Sequence, residues 1–106
     1  MRVLLDECID SRIASHFGNL AVATVVGQGW SGISNCKLLA HAQQHFDVFV
    51  TVDRNLSFQQ HLPKFDVTVM LVLATSSRVG ELVAFVPKII EQLGTAPKGA
   101  VTEIGL

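Results

Sequence analysis

Apolar residues in this chain come in short unbroken runs, each closed by polar or acidic residues. The clearest is Val48-Phe49-Val50-Thr51-Val52, which runs straight into Asp53-Arg54-Asn55. The chain opens in the same way, with Val3-Leu4-Leu5 running into Asp6-Glu7. A run without polar alternation reads as a strand buried on both faces, the habit of parallel sheets covered by helices. The pattern predicts strands over 3–5, 21–26, 48–52, 67–73 and 100–104, the last at a sheet edge.

Between them the spacing turns helical. Ile13 and Phe17 stand four apart in a short helix over 12–17, with Asp10 or Ser11 as its cap and Gly18-Asn19 as its stop. Gly27-Gln28-Gly29-Trp30-Ser31-Gly32 has too many glycines for a regular element and reads as a loop. Ser34 caps a helix carrying Leu38, Leu39 and Ala42. A helical turn is expected over 56–61, ended by Pro63. Thr75-Ser76-Ser77 marks a polar break and cap. Leu82, Val83, Phe85, Val86, Ile89, Ile90 and Leu93 form the longest helical pattern, and Pro87 inside it is expected to kink or split the helix near Val86. A Pro/Gly linker over 94–99 leads to the last strand.

Alternating strands and helices specify an α/β fold, a three-layer sandwich on a mostly parallel five-stranded sheet. Right-handed crossovers and short connections favour the strand order 2-1-3-4-5. That order makes the first and third strands neighbours, about 4.8 Å apart. Asp6 and Asp53, just past their ends, then face the crevice where open α/β sheets keep their sites.

Composition narrows the class. The 106 residues fit one domain over 1–106, and 49% hydrophobic against 16% charged residues argues for a packed core rather than disorder. No apolar run approaches the roughly 18 residues that span a bilayer, so no membrane partner is expected. No signal-peptide pattern is visible. Cys8 and Cys36 lack metal-ligand spacing and read as reduced thiols of a cytoplasmic protein. With 8 basic residues, 9 acidic ones and a formal charge of −1, the chain has no broad phosphate-tracking surface. A small site acting on nucleic acid stays open, with help from metal ions, an oligomer or a partner.

Converging carboxylates repel one another unless a cation sits between them. Oxygen ligands without clustered histidines favour Mg²⁺ or Mn²⁺ over Zn²⁺. Asp6, Glu7, Asp53 and Asn55 are the candidate ligands, with Asp6, Asp53 and Asn55 also the candidate catalytic residues. Arg54 and Arg12 are the cations assigned to substrate phosphate. Each has a plainer alternative, because strand-end acids also cap helices and form turns, and Asn55 can cap the turn at Leu56. His41 and His45 stand at i, i+4 but read as a solvated helix face, and His16 and His61 as surface residues. Trp30 reads as a plug over the core rather than a lid or partner anchor.

At Leu4-Leu5-Asp6-Glu7-Cys8, at 29–35 and at Val50-Thr51-Val52-Asp53-Arg54-Asn55-Leu56, the chain resembles the compact PIN-like domains. These are small bacterial relatives of the PIN ribonucleases found among type II toxin–antitoxin toxins. The resemblance runs from Val3 to about Leu93. It implies a metal-dependent endoribonuclease using Mg²⁺ or Mn²⁺, with RNA as substrate, an antitoxin protein as partner and a homodimer as assembly. By position, Asp6 matches the family's first acid, Glu7 the residue after it, Asp53 the acid of the Thr-x-Asp motif, and Asn55 a position where others carry Asp or Asn. One position departs: Asn35 stands where these domains place an acid at the helix start. An inactive PIN-like scaffold that binds a partner is therefore one alternative. A receiver-like phosphoacceptor module, with Asp6-Glu7, Asp53 and Thr75 in its layout, is the other.

Overall fold

The computed structural model describes residues 1–55 and 59–106. Its centre is a five-stranded, all-parallel sheet of β1 (Arg2–Leu5), β2 (Ala21–Thr24), β3 (Val48–Thr51), β4 (Thr68–Val72) and β5 (Val101–Ile104), in the order β2-β1-β3-β4-β5. Strand order, direction and neighbours match the expectation from the apolar runs. The physical reason is visible in the burial: every residue of β3 and β4 is buried, as a strand covered on both faces requires.

Alternate residues supply two separate cores. Val3, Leu5, Val48, Val50, Met70 and Val72 point to one face, against Ile13, Phe17, Leu82, Phe85, Val86 and Ile89. Leu4, Phe49, Val67 and Val69 point to the other, against Leu38, Leu39, Ala42 and Phe46. Helical layers thus cover both faces of the sheet.

Several boundaries differ from the sequence reading, each for a local reason. β2 stops at Thr24 rather than at 26, because the Thr24 hydroxyl accepts the Gly27 N–H (2.9 Å) and its carbonyl accepts the Gln28 N–H (3.0 Å), turning the chain at once. A Cβ at Gly27 would stand 2.9 Å from that hydroxyl, so a larger residue there would push the Thr24 hydroxyl out of its bond to this turn. The first helix is a 3₁₀ helix, Ser11–Phe17, capped by Asp10, whose carboxylate accepts the Arg12 N–H. Ser34 caps α1 (Asn35–His45) by accepting the Lys37 N–H, as expected.

The turn expected over 56–61 lies partly outside the described residues. From Gln59 on it is a 3₁₀ helix, Gln59–Lys64, which contains Pro63 instead of ending before it. The long pattern after β4 is split as foreseen, into α2 (Val79–Leu82), a 3₁₀ turn (Val83–Phe85) and α3 (Val86–Gln92). Pro87 lies in the first turn of α3, where no backbone N–H is needed, so it starts that helix and carries no interior penalty. The cap before α2 is not what the Thr-Ser-Ser run suggested. Arg78 holds the capping position without a side-chain bond, and Glu81 reaches back to accept from the Thr75 N–H (2.6 Å) and the Ser76 hydroxyl (2.6 Å). Those donors hold the Glu81 carboxyl below its ordinary pKa.

Candidate functional site

The register decides which side chains meet at the carboxyl edge. Leu5 pairs with Val50, and the Asp6 N–H continues the ladder onto the Val50 carbonyl (2.9 Å). The residue beside Asp6 is therefore Thr51, with Asp53 two positions further along the same face. Thr51 is 1% exposed, and its hydroxyl joins the two acids. It donates to Asp6 Oδ2 at 2.7 Å and accepts the Asp53 N–H at 3.0 Å.

Asp6 is held from three directions. Its Oδ1 accepts the Glu7 N–H (2.8 Å), and its Oδ2 accepts from Thr51 and, at 3.4 Å, from the Cys8 thiol. Cys8 also lies 3.6 Å from the Thr51 hydroxyl. Partial burial raises the Cys8 pKa, so this thiol stays protonated and serves as a donor, not a nucleophile. Asp53 is exposed and closes a turn on itself, with Oδ1 accepting the Asn55 N–H at 2.9 Å.

The other assigned residues behave differently from one another. Glu7, Arg54 and Asn55 are exposed at this edge. Asn35 is the first residue of α1. Arg12 is already paired: its guanidinium grips the Asp10 carboxylate through Nε (3.0 Å) and Nη2 (2.6 Å), and the pair holds the Asp10 pKa down at about 2. The Nη1 edge of this exposed guanidinium is not engaged by Asp10, so the pair occupies one side of Arg12 and leaves the other open to a phosphate.

Among the described residues, no three His, Cys, Asp or Glu side chains converge on a point where they would hold an ion unaided. Mg²⁺ can also be held by one or two carboxylates, completing its shell with water and substrate phosphate, and Asp6 and Asp53 are the oxygen donors at this edge that would serve in that mode. They do not form a closed protein cage.

On the β2 side of Asp6 lies a cavity of about 350 Å³, lined by Asp6, Glu7, Ser11, Thr24, Val26 and Gly27 over Ile9. Asp53 is not among its walls.

His41 and His45 stack on Trp30, with ring centroids 5.3 Å and 6.4 Å apart, and Phe46 meets Trp30 edge-on at 6.1 Å. Trp30 thereby packs on the face that holds Leu38 and Phe46, in keeping with the plug reading.

Thr51 and Cys8 are the residues that sequence reasoning passed over. The signal for Thr51 was present: a lone hydroxyl in an apolar run, two residues before Asp53 and so on its face. Cys8 had no such signal, because its contact depends on how the chain turns after β1. A scan against protein-family models finds no match, and no curated protein or solved structure matches the chain.

Proposed function

We propose that the chain is a PIN-like, divalent-cation-dependent endoribonuclease, acting as the toxin component of a toxin–antitoxin pair. The observation that carries this reading is the Thr51 hydroxyl, bonded at once to the Asp6 carboxylate and the Asp53 backbone at the ends of neighbouring parallel strands. Asp6 and Asp53 would hold Mg²⁺ or Mn²⁺, with Asn55 supporting the shell from the turn beside Asp53. Such an ion, when bound, polarises a phosphate oxygen and lowers the pKa of water. The protein's own part is positional. Thr51 and the Glu7 N–H orient the Asp6 carboxylate, while the Asx turn points Asp53 outward at the edge. Arg54, exposed next to Asp53, would be the cation that meets substrate phosphate. Positioning and charge stabilisation supply most of the rate in such reactions.

Two observations favour a second reading, a partner-binding scaffold without catalysis. Asn35 replaces the family's usual acid, and no three ligating side chains converge among the described residues. A receiver-like module would carry a lysine after its fifth strand; here Lys98 precedes β5, bonds the Asp47 carbonyl (3.2 Å) and lies 3.5 Å from the Asp47 carboxylate, where β3 begins, at the opposite edge from Asp53, which speaks against that alternative.

The test is incubation of the purified protein with single-stranded RNA and Mn²⁺, beside Asp53→Ala. The nuclease reading expects cleavage by the wild type that chelator abolishes, and at least a hundredfold less by the variant. Equal cleavage by both proteins rejects the site. No cleavage by either favours the scaffold.

A further inference from the structure

We propose that the cavity beside Asp6 is a nucleobase subsite that takes guanine, read by the Glu7 carboxylate. The inference deepens the nuclease reading and rests on it for its setting; Asp6 is shared between the two, as a wall of the cavity and a ligand of the ion, while the base is read by Glu7.

At about 350 Å³ the cavity is at the small end of ligand pockets, the right scale for one flat ring system. No lysine or arginine lines it, so its side chains offer no cation to a phosphate and favour an uncharged group that brings its own donors. Its apolar surface comes from Ile9 below and from Val26, 63% exposed at the rim and thus available to cover a ring face. Of its polar walls, Asp6 is engaged by three donors and the Thr24 hydroxyl by the Gly27 N–H. Among the described residues, no side chain pairs with the Glu7 carboxylate or the Ser11 hydroxyl. These are the groups left to read a ligand.

A carboxylate presents two acceptors side by side. Guanine is the one RNA base whose Watson–Crick edge presents two adjacent donors, N1–H and N2–H, with the O6 acceptor next to them for a hydroxyl such as that of Ser11. Adenine and cytosine place a lone-pair nitrogen beside their amino group, and uracil flanks its N3–H with two carbonyls. Against Glu7 each of these sets acceptor against acceptor, a mismatch that discriminates by repulsion as well as by lost bonding. In this arrangement Glu7 serves the base, and the ion is left to Asp6 and Asp53.

The experiment titrates guanosine, adenosine, cytidine, uridine and arginine amide separately into the metal-free protein, following backbone amide shifts by NMR, and repeats guanosine with Glu7→Gln. Glu7 is exposed, so the variant is expected to fold with an unchanged melting temperature. Guanosine is expected to shift Glu7, Ile9, Thr24 and Gly27 and to bind about tenfold tighter than the other nucleosides, a preference that Glu7→Gln removes. Equal binding of the four nucleosides, no binding, or a preference that survives Glu7→Gln overturns the proposal. Arginine amide binding there in preference to guanosine also overturns it and assigns the cavity to a protein partner. Selective guanosine binding without RNA cleavage would leave the subsite standing and remove the nuclease reading. Cleavage without nucleoside binding would do the reverse.

Discussion

Phe49→Ala is expected to lower the unfolding free energy by about 3–5 kcal/mol. Phe49 is 2% exposed, sits on the central strand β3 and packs on the α1 face with Leu4, Leu38, Leu39 and Val69. Among the described residues it leads the largest fully buried side chains. Removing the ring leaves a cavity between a sheet and a helix layer that close from both sides, so little collapse can fill it. Domains of this size are stable by roughly 5–15 kcal/mol, which makes this loss a large share of the total. Phe49→Leu keeps most of the volume and is expected to cost less than about 1.5 kcal/mol. Urea unfolding followed by circular dichroism measures both. A loss under about 1 kcal/mol for the alanine variant would mean that β3 is not the covered central strand described above.

Thr51→Val is expected to reduce Mn²⁺-dependent RNA cleavage by about 10- to 100-fold, the usual effect of removing a group that orients a metal ligand. Valine has nearly the same shape, so packing at this buried position is kept. What disappears is one hydroxyl that donates to Asp6 and accepts from the Asp53 N–H. The stability cost is expected at about 1–3 kcal/mol, because both partners lose a bond at a part-buried site. Thr51→Ser, which restores the hydroxyl, is expected to recover most of the activity. Full activity in Thr51→Val would make this hydroxyl a purely structural contact. A valine variant that loses activity without rescue by serine would point to packing instead.

The architecture was legible because the strands are nearly continuous apolar runs. Once 48–52 and 67–73 are read as strands covered on both faces, helices on both faces and a parallel order follow. Strand ends were less legible, since they are set by turn bonds such as that from Gly27 to Thr24, which hydropathy does not register. Pro87 was correctly placed as a break near Val86, while Pro63 was not a stop, because a 3₁₀ turn runs through it.

The candidate site was legible in outline only. The two aspartates stand out as acids at strand ends. Their relation is set by register, and register put Thr51 beside Asp6, with Asp53 two residues beyond. Arg12 illustrates the opposite limit. It lies near the site in sequence, yet its bidentate pair with Asp10, which engages one edge of the guanidinium, carried no signal in the hydropathy pattern. Glu81, bonded to Thr75 and Ser76, is an acid past the end of β4 whose role follows only from the fold.

The central claim is that the ends of β1 and β3 hold one divalent cation between them. Titration of Mn²⁺ into the isotope-labelled protein tests it most directly, because the paramagnetic ion broadens amide signals near its site. The account predicts selective loss of the Asp6, Glu7, Thr51 and Asp53 signals at low Mn²⁺, abolished in Asp53→Ala. Broadening centred elsewhere, or the same broadening in Asp53→Ala, would contradict it.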